Sequence, residues 1–174
     1  ARSEPAIAAL IGGERLPILV GGRAGRPDKL HCEKTADGYL RVRMISALTL
    51  LRAEDSHRSR ELWSYPLLAE ELRRICAEPR KNALELFRRM CFNALISNTD
   101  DHPRNHALLA QNRDWKLSSA YDLTPTSPVS LERRDLALIC GEYGRHANAD
   151  NLISDSMRFL LEHAAARKHG AAHP

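Results

Sequence analysis

The strongest periodic pattern of apolar positions lies in the middle of the chain, between residues 81 and 97. There the apolar side chains recur at steps of three and four, at Leu84, Phe87, Cys91 and Leu95. This spacing places all four on one face of an α-helix. The pattern therefore predicts one long helix with an apolar face over this segment.

Three other segments also have helical patterns. SYPLLAEELRRIC, residues 64–76, predicts a helix with Ser64 as its N-cap and a proline in the first turn. MISALTLLRAE predicts a helix near residues 44–54, and DNLISDSMRFLLEHAAARKHG predicts one from residue 150 to a stop at Gly170. The order of elements therefore indicates a mainly α-helical fold.

The β-structure predicted from the sequence is small. RLPILVGG, residues 15–22, is typical of a short strand that runs into a glycine-rich turn, and a turn with a strand is expected around Asp37 and Gly38. HALLAQ and WKLSSA flank a turn-rich joint at residues 112–114, which predicts a β-hairpin. The expected fold class is thus mainly α with a small β-hairpin, in one compact domain.

The candidate chemistry lies where the long helix ends. NTDDHPRN begins at Asn98 and cannot continue a helix, because Pro103 bars a helix interior and Asn and Asp favour turns. Asp100 and Asn105 therefore lie on one loop, and Asp122 follows the hairpin, which could bring it back beside them.

Phosphoryl transfer from ATP requires such a set of groups. One carboxylate accepts or orients the proton of the attacking hydroxyl, while an oxygen ligand and a second carboxylate hold Mg²⁺ against the phosphates. Mg²⁺ prefers oxygen ligands and needs only one or two carboxylates besides the phosphates. Asp100 and Asn105 are five residues apart, as in the kinase catalytic loop H-R-D-x-x-x-x-N, and Asp122 corresponds to the later metal-binding aspartate.

At these positions the sequence resembles a known family, the HipA-type serine/threonine kinases that are the toxin half of bacterial toxin–antitoxin pairs. The family loop reads T-D-x-H-x-[KR]-N, and its metal-binding aspartate lies in Y-D. Both patterns are present here, in Thr99, Asp100, His102, Arg104 and Asn105 and then in Tyr121 and Asp122.

The resemblance implies a role for each of these residues. Asp100 would be the catalytic base, Asn105 and Asp122 would bind Mg²⁺, and His102 and Arg104 would lie near the phosphates of ATP. It also implies a protein substrate phosphorylated on Ser or Thr and a HipB-like DNA-binding antitoxin as partner. The fold implied is the larger, C-terminal lobe of a protein-kinase-like HipA fold. Residues 1–43 would be a remnant strand, hinge and loop, and residues 44–174 the helical lobe.

The sequence departs from the family in its first part. It contains no G-x-x-x-x-G-K and no V-A-I-K-like strand, and residues 21–24 fall where the family usually has the adenine hinge E-R-F-D. GGRAGR lacks the Lys and the Ser or Thr of a phosphate loop. Two hypotheses therefore remain: a kinase of which this chain is the catalytic-loop lobe, and a non-catalytic lobe that engages an antitoxin-like partner.

Other interpretations of the loop remain open as well. Asp100, Asp101 and Asn105 could simply cap and turn a helix end, but that alternative does not account for the second motif at Asp122. His102, His106 and Asp122 could bind Zn²⁺, although a proline between the two histidines disfavours the helical spacing that would align their rings.

Composition adds limits on location and partners. The net charge of +4 comes from scattered arginines with no basic run, so direct nucleic-acid binding is not expected. The four cysteines are far apart in the sequence, which predicts buried free thiols in a reducing cytosol. No apolar run approaches the roughly 20 residues that span a bilayer. A cytoplasmic protein that binds ATP and Mg²⁺ is expected, with no membrane partner.

Overall fold

The structure is a computed structural model, and it describes residues 32–111, 113–127 and 133–162. The strand expected at residues 15–22, the glycine-rich hinge and the end of the last predicted helix lie outside these residues. The division of the chain at residue 43 stays a prediction.

The described residues contain a helical core beside two small sheets. The strands are β1 (Cys32–Thr35), β2 (Gly38–Arg41), β3 (Arg43–Ser46), β4 (Ala107–Gln111) and β5 (Asp114–Leu117). The α-helices are α1 (Ala47–Leu50), α2 (Tyr65–Ile75), α3 (Pro79–Leu95) and α4 (Ala149–Ser154). Short 3-10 helices span His57–Leu62, Pro103–Asn105 and Ser156–Phe159.

Helices α2 and α3 pack together and form the centre of the core, and both were predicted from the sequence. The Ser64 hydroxyl accepts a hydrogen bond from the Leu67 backbone N–H at 3.3 Å, so it caps α2 as expected. On the predicted apolar face of α3, Phe87 and Cys91 are buried, whereas Leu84 and Leu95 are only partly buried. The largest apolar side chains buried in the two helices, together with Phe87, are Tyr65, Leu68, Leu72, Leu86 and Met90.

The predicted hairpin is present as β4 and β5, which pair in antiparallel register. A third strand joins them, because β3 pairs with β4 and places Met44 opposite Leu109. The helix predicted for residues 44–54 is therefore wrong over its first turn, and only Ala47–Leu50 is α-helical. An apolar run such as MISALTLL fits either structure, and here pairing with a distant strand decides it.

The turn expected at Asp37 and Gly38 is confirmed between β1 and β2, whose ladder closes at Thr35 and Gly38. Gly38 has a φ of 141°, a conformation that side-chain-bearing residues rarely adopt. The glycine is thus required by the geometry of this turn.

The single helix predicted from residue 150 is wrong in the part that is described. Helix α4 ends at Ser154, a 3-10 turn follows, and Leu160 is left-handed with a φ of 60°. The buried Asn151 side chain donates to the backbone carbonyls of Gly144 and His146 at 3.1 and 2.8 Å. This helix is short, and the Asn151 side chain holds it to the preceding turn.

Three of the four cysteines, Cys76, Cys91 and Cys140, are free and buried, as expected. Burial raises the pKa of the Cys76 thiol to about 11 and that of Cys140 to about 12. These thiols stay protonated at neutral pH and are unreactive. Among the described residues, no helix combines the length and apolarity needed to cross a membrane.

Candidate functional site

The loop that carries the first motif begins where α3 ends. Ser97 takes a positive φ of 54°, and the Asn98 backbone N–H bonds back to the Asn93 carbonyl at 2.9 Å. A 3-10 turn over Pro103–Asn105 then leads into β4. We refer to residues 98–106 as the motif loop.

The backbone of Asp100 joins the two ends of the motif. Its carbonyl oxygen accepts hydrogen bonds from the His102 backbone N–H at 2.9 Å and from Asn105 Nδ2 at 3.3 Å. The amide of Asn105 is therefore tied to the loop through its nitrogen, which leaves its Oδ1 as the oxygen that can bind a cation. The Asp100 side chain is exposed. The loop thus presents a carboxylate and an amide oxygen.

Asp101, next to it, has the opposite environment, since only 1% of its surface is exposed. Its Oδ1 accepts a hydrogen bond from His106 Nε2 at 2.9 Å, and its Oδ2 accepts one from the Tyr65 hydroxyl. The Tyr65 oxygen in turn accepts a hydrogen bond from Asn93 Nδ2 at 2.9 Å. A buried carboxylate thus immediately follows an exposed one along the chain.

His102 and Arg104 both contact Asp55, in the segment after α1. His102 Nδ1 accepts a hydrogen bond from the Arg104 backbone N–H at 3.1 Å, so Nε2 carries the proton and donates it to Asp55 Oδ1 at 2.9 Å. Arg104 Nη2 lies 2.9 Å from Asp55 Oδ2. The hydrogen bond from His102, together with the charges nearby, lowers the pKa of the Asp55 carboxyl.

Trp63 contacts both His102 and the segment that carries Asp55. Its indole N–H donates to the Glu54 carbonyl at 3.2 Å, and its ring packs edge-on against His102 with centroids 4.3 Å apart. The segment that carries Asp55 is therefore fixed beside the motif loop.

The alternative of a zinc site is not supported, because His102 and His106 bond to two different aspartates, Asp55 and Asp101. In the ranges that the structure describes, no three or more His, Cys, Asp or Glu side chains are grouped for a metal ion.

The second motif meets the first through Tyr121, whose hydroxyl donates to the Arg104 carbonyl at 2.6 Å. Asp122 is half-buried and left-handed, with a φ of 57°. The buried Arg89 of α3 donates to the Ser118 carbonyl and pairs with Glu85 at 2.9 Å, which holds the chain leading to Asp122. The two motifs are in contact, while close approach of the Asp122 carboxylate to Asn105 stays a prediction.

The contacts of Asp55, Asp101 and Tyr65 with the motif loop were not predicted from the sequence. Asp55 lies 47 residues before His102, and no pattern links the two. Asp101 was interpreted only as a turn residue, because its contacts with Tyr65 and His106 form only in the folded chain. Tyr65 was assigned only to a helix, because its contact with Asp101 spans 36 residues.

Comparison with known proteins defines the class to which this fold and site belong. A sequence model described as the HipA-like C-terminal domain matches residues 25–172. The chain therefore belongs to the HipA-like C-terminal domain family, and the resemblance seen in the motifs is confirmed.

Two particular relatives are informative. The chain is 28% identical over 127 residues to the Sinorhizobium fredii (strain NBRC 101917 / NGR234) protein named "Putative kinase Y4mE", a match that covers 69% of this chain and 30% of that protein. A solved structure of HipA from Shewanella oneidensis MR-1, in complex with HipB and its operator DNA, matches with a TM-score of 0.56 at 17% identity. That match covers 96% of this chain and 44% of HipA. The fold is thus similar to part of HipA, and the chain spans less than half of either relative.

Proposed function

We propose that this chain carries the catalytic-loop lobe of a HipA-like serine/threonine protein kinase, which transfers the γ-phosphoryl group of ATP to a protein hydroxyl. The observation that carries the proposal is the pairing of Asp100 and Asn105 on the motif loop. Asn105 Nδ2 donates to the Asp100 backbone carbonyl, so the amide side chain is held next to the residue that carries the carboxylate.

The donor set fits Mg²⁺. Asn105 Oδ1 and the Asp122 carboxylate are hard oxygen donors, and Mg²⁺ binds through one or two carboxylates with the remaining positions filled by phosphate oxygens and water. A hydrogen bond of 2.6 Å from the Tyr121 hydroxyl to the Arg104 carbonyl connects the two motifs. This contact supports binding of one Mg²⁺ by residues of both motifs. When bound, Mg²⁺ would neutralise charge on the phosphates.

Each residue of this chain then has a defined task. Asp100 accepts the proton of the substrate hydroxyl and orients its oxygen towards the γ-phosphorus. Arg104 leaves its exposed ion pair with Asp55 and binds a phosphate oxygen of ATP instead. The loss costs little, because surface ion pairs contribute little to stability. His102, whose two ring nitrogens are engaged within the chain, acts beside the phosphates by holding the turn that carries Arg104.

We further propose an antitoxin-like partner, because the matched HipA structure contains HipB. The same lobe without turnover, serving only to engage such a partner, is the competing function. It predicts binding to the partner and no phosphoryl transfer.

The test uses the full-length protein that contains this chain. Radiolabelled ATP is supplied with dephosphorylated casein as acceptor, and label is measured on casein and on the protein itself, followed by phosphoamino-acid analysis. Labelled phosphoserine or phosphothreonine above the background of an Asp100→Asn variant is expected. Absence of label from both proteins would favour the non-catalytic function.

A further inference from the structure

The buried carboxylate of Asp101 is the second polar feature of the motif loop, and neither the family motif nor the proposed chemistry assigns it a role. Its two oxygens face two donors, the His106 ring and the Tyr65 hydroxyl. Tyr65 is the first residue of α2 and His106 directly precedes β4. One carboxylate thus links a helix and a strand that are far apart in sequence.

The linkage extends to α3 through a chain of amides. Asn93 donates to the Tyr65 oxygen at 2.9 Å, and its own Oδ1 accepts from Asn98 Nδ2 at 3.2 Å. We call these five residues, which hold both ends of the motif loop, the loop anchor: Tyr65, Asn93, Asn98, Asp101 and His106. All five are buried, with at most 2% of any of them exposed.

Burial of the Asp101 carboxylate is costly unless its own oxygens are hydrogen-bonded, and within the loop anchor Asn98 Oδ1 and His106 Nδ1 have no hydrogen-bond partner among the described residues. A buried carboxylate loses hydration worth several kcal/mol, which its hydrogen bonds must offset. The Tyr65 and His106 donors meet that need only in one geometry, so the position of the Asp101 backbone is narrowly defined. His106 also packs edge-on against Tyr65, with ring centroids 5.3 Å apart, which restrains both donors.

The peptide unit between Asp100 and Asp101 transmits this restraint to the surface. Its carbonyl oxygen belongs to Asp100 and accepts the hydrogen bonds from the His102 N–H and Asn105 Nδ2. A shift of Asp101 would therefore move the side chain of Asp100 and the amide of Asn105 together.

We propose that Asp101 is a positioning residue, which uses the loop anchor to orient the exposed carboxylate of Asp100 relative to the amide of Asn105. This inference rests on the proposed kinase function for its catalytic consequence. Reacting groups must be held closely, since a displacement of about 1 Å can cost on the order of 10²-fold in rate.

The test compares Tyr65→Phe with Asp101→Asn in the full-length protein. Tyr65→Phe keeps the ring in the core and removes only the hydroxyl, which donates to Asp101 and accepts from Asn93, so it is the variant expected to fold if Asp101→Asn does not. The control is Asn151→Ala, which breaks a buried polar clamp that makes no hydrogen bond to the motif loop. Two readouts are used: the split between kcat and KM for ATP, and amide hydrogen exchange over residues 98–106.

Tyr65→Phe is expected to lower kcat at least about tenfold with KM for ATP changed less than about twofold, because positioning and not nucleotide binding is lost. Exchange should rise in the motif loop, whereas in Asn151→Ala it should rise near residues 140–151 with kcat unchanged. Unaltered exchange in the motif loop, or a kcat equal to that of the control, overturns the role of Asp101. If the wild-type protein transfers no phosphoryl group, the proposed function and the catalytic consequence drawn from it are overturned. Amide hydrogen exchange in Tyr65→Phe then still shows whether the loop anchor holds the motif loop.

Discussion

The hydroxyl of Tyr121 donates a hydrogen bond of 2.6 Å to the backbone carbonyl oxygen of Arg104, and this contact joins two motifs that are 17 residues apart. Burial raises the pKa of the Tyr121 hydroxyl to about 12, so it remains a donor at neutral pH. Asn105 follows Arg104 in the chain, and Asp122 follows Tyr121. Both are proposed ligands of Mg²⁺. The bond therefore joins the loop that carries Asn105 to the segment that carries Asp122.

Tyr121→Phe should weaken that connection without removing either ligand. Loss of this one hydrogen bond, which lies at the protein surface, is expected to lower the free energy of unfolding by at most about 1 kcal/mol. The affinity for Mg²⁺ in the presence of ATP should fall as well, because the two ligands are no longer held together. Calorimetric titration measures the affinity, and an unchanged value would show that Tyr121 serves packing alone.

Asp100→Asn tests the proposed base. Turnover should fall by at least about 10²-fold, the typical effect of losing a general base, while ATP binding stays nearly unchanged. Asn caps and turns a chain as well as Asp does, so stability should survive too. If turnover also survives in the radiolabel assay, Asp100 is only a turn residue.

Asp122→Asn separates metal binding from folding. Asp122 has a φ of 57°, and Asn accepts this left-handed conformation readily, so the backbone should be unaffected. Thermal melts with and without Mg²⁺ should show a metal-dependent rise in Tm in the wild type and a smaller rise in the variant. Asp114→Asn, a change at an exposed position of β5, is the matched control. Equal rises in wild type and Asp122→Asn would remove Asp122 from the metal site.

The contacts of Asp55 with His102 and Arg104 should weaken in acid. The pKa of Asp55 is lowered in the folded protein by the hydrogen bond from His102 and then by the charges of His102 and Arg104. A depressed pKa stabilises the fold above the unfolded value of 3.8, and this contribution is lost as pH falls through the lower, folded value. The carboxyl carbon of Asp55, followed by NMR, should titrate below its ordinary value of 3.8. A midpoint at or above that value would contradict the contacts with His102 and Arg104.

Gly141→Ala should be strongly destabilising. A Cβ at this position would lie 2.0 Å from the backbone oxygen of Asn151, and a backbone atom cannot easily yield. We expect a loss of about 3 kcal/mol in the free energy of unfolding, the upper part of the range for overpacking. Gly144→Ala is the comparison: it meets open space but has a φ of 78°, so it should cost only about 1 kcal/mol. Denaturant unfolding of both variants measures the difference, and equal losses would argue against the clash.

Local signals in the sequence were enough for several elements. The cap at Ser64, the apolar face of α3, the glycine turn at Gly38 and the hairpin of β4 and β5 depend on residues close to one another in the chain. The two motifs could also be recognised, because Asp100, Asn105 and Tyr121 with Asp122 have a defined spacing and order. These features were accessible because their determinants are short-range.

Tertiary structure decided the features that depend on distant partners. Met44 lies in a strand that pairs with the distant β4, opposite Leu109, and α4 is followed by a 3-10 turn that ends at the left-handed Leu160. The sequence determined which groups the motif loop carries. Only the fold decided that Asp100 is exposed while Asp101 is buried, and that Asp55 holds His102 and Arg104. Burial and pairing are set by side chains that lie tens of residues away along the chain, so no local pattern encodes them.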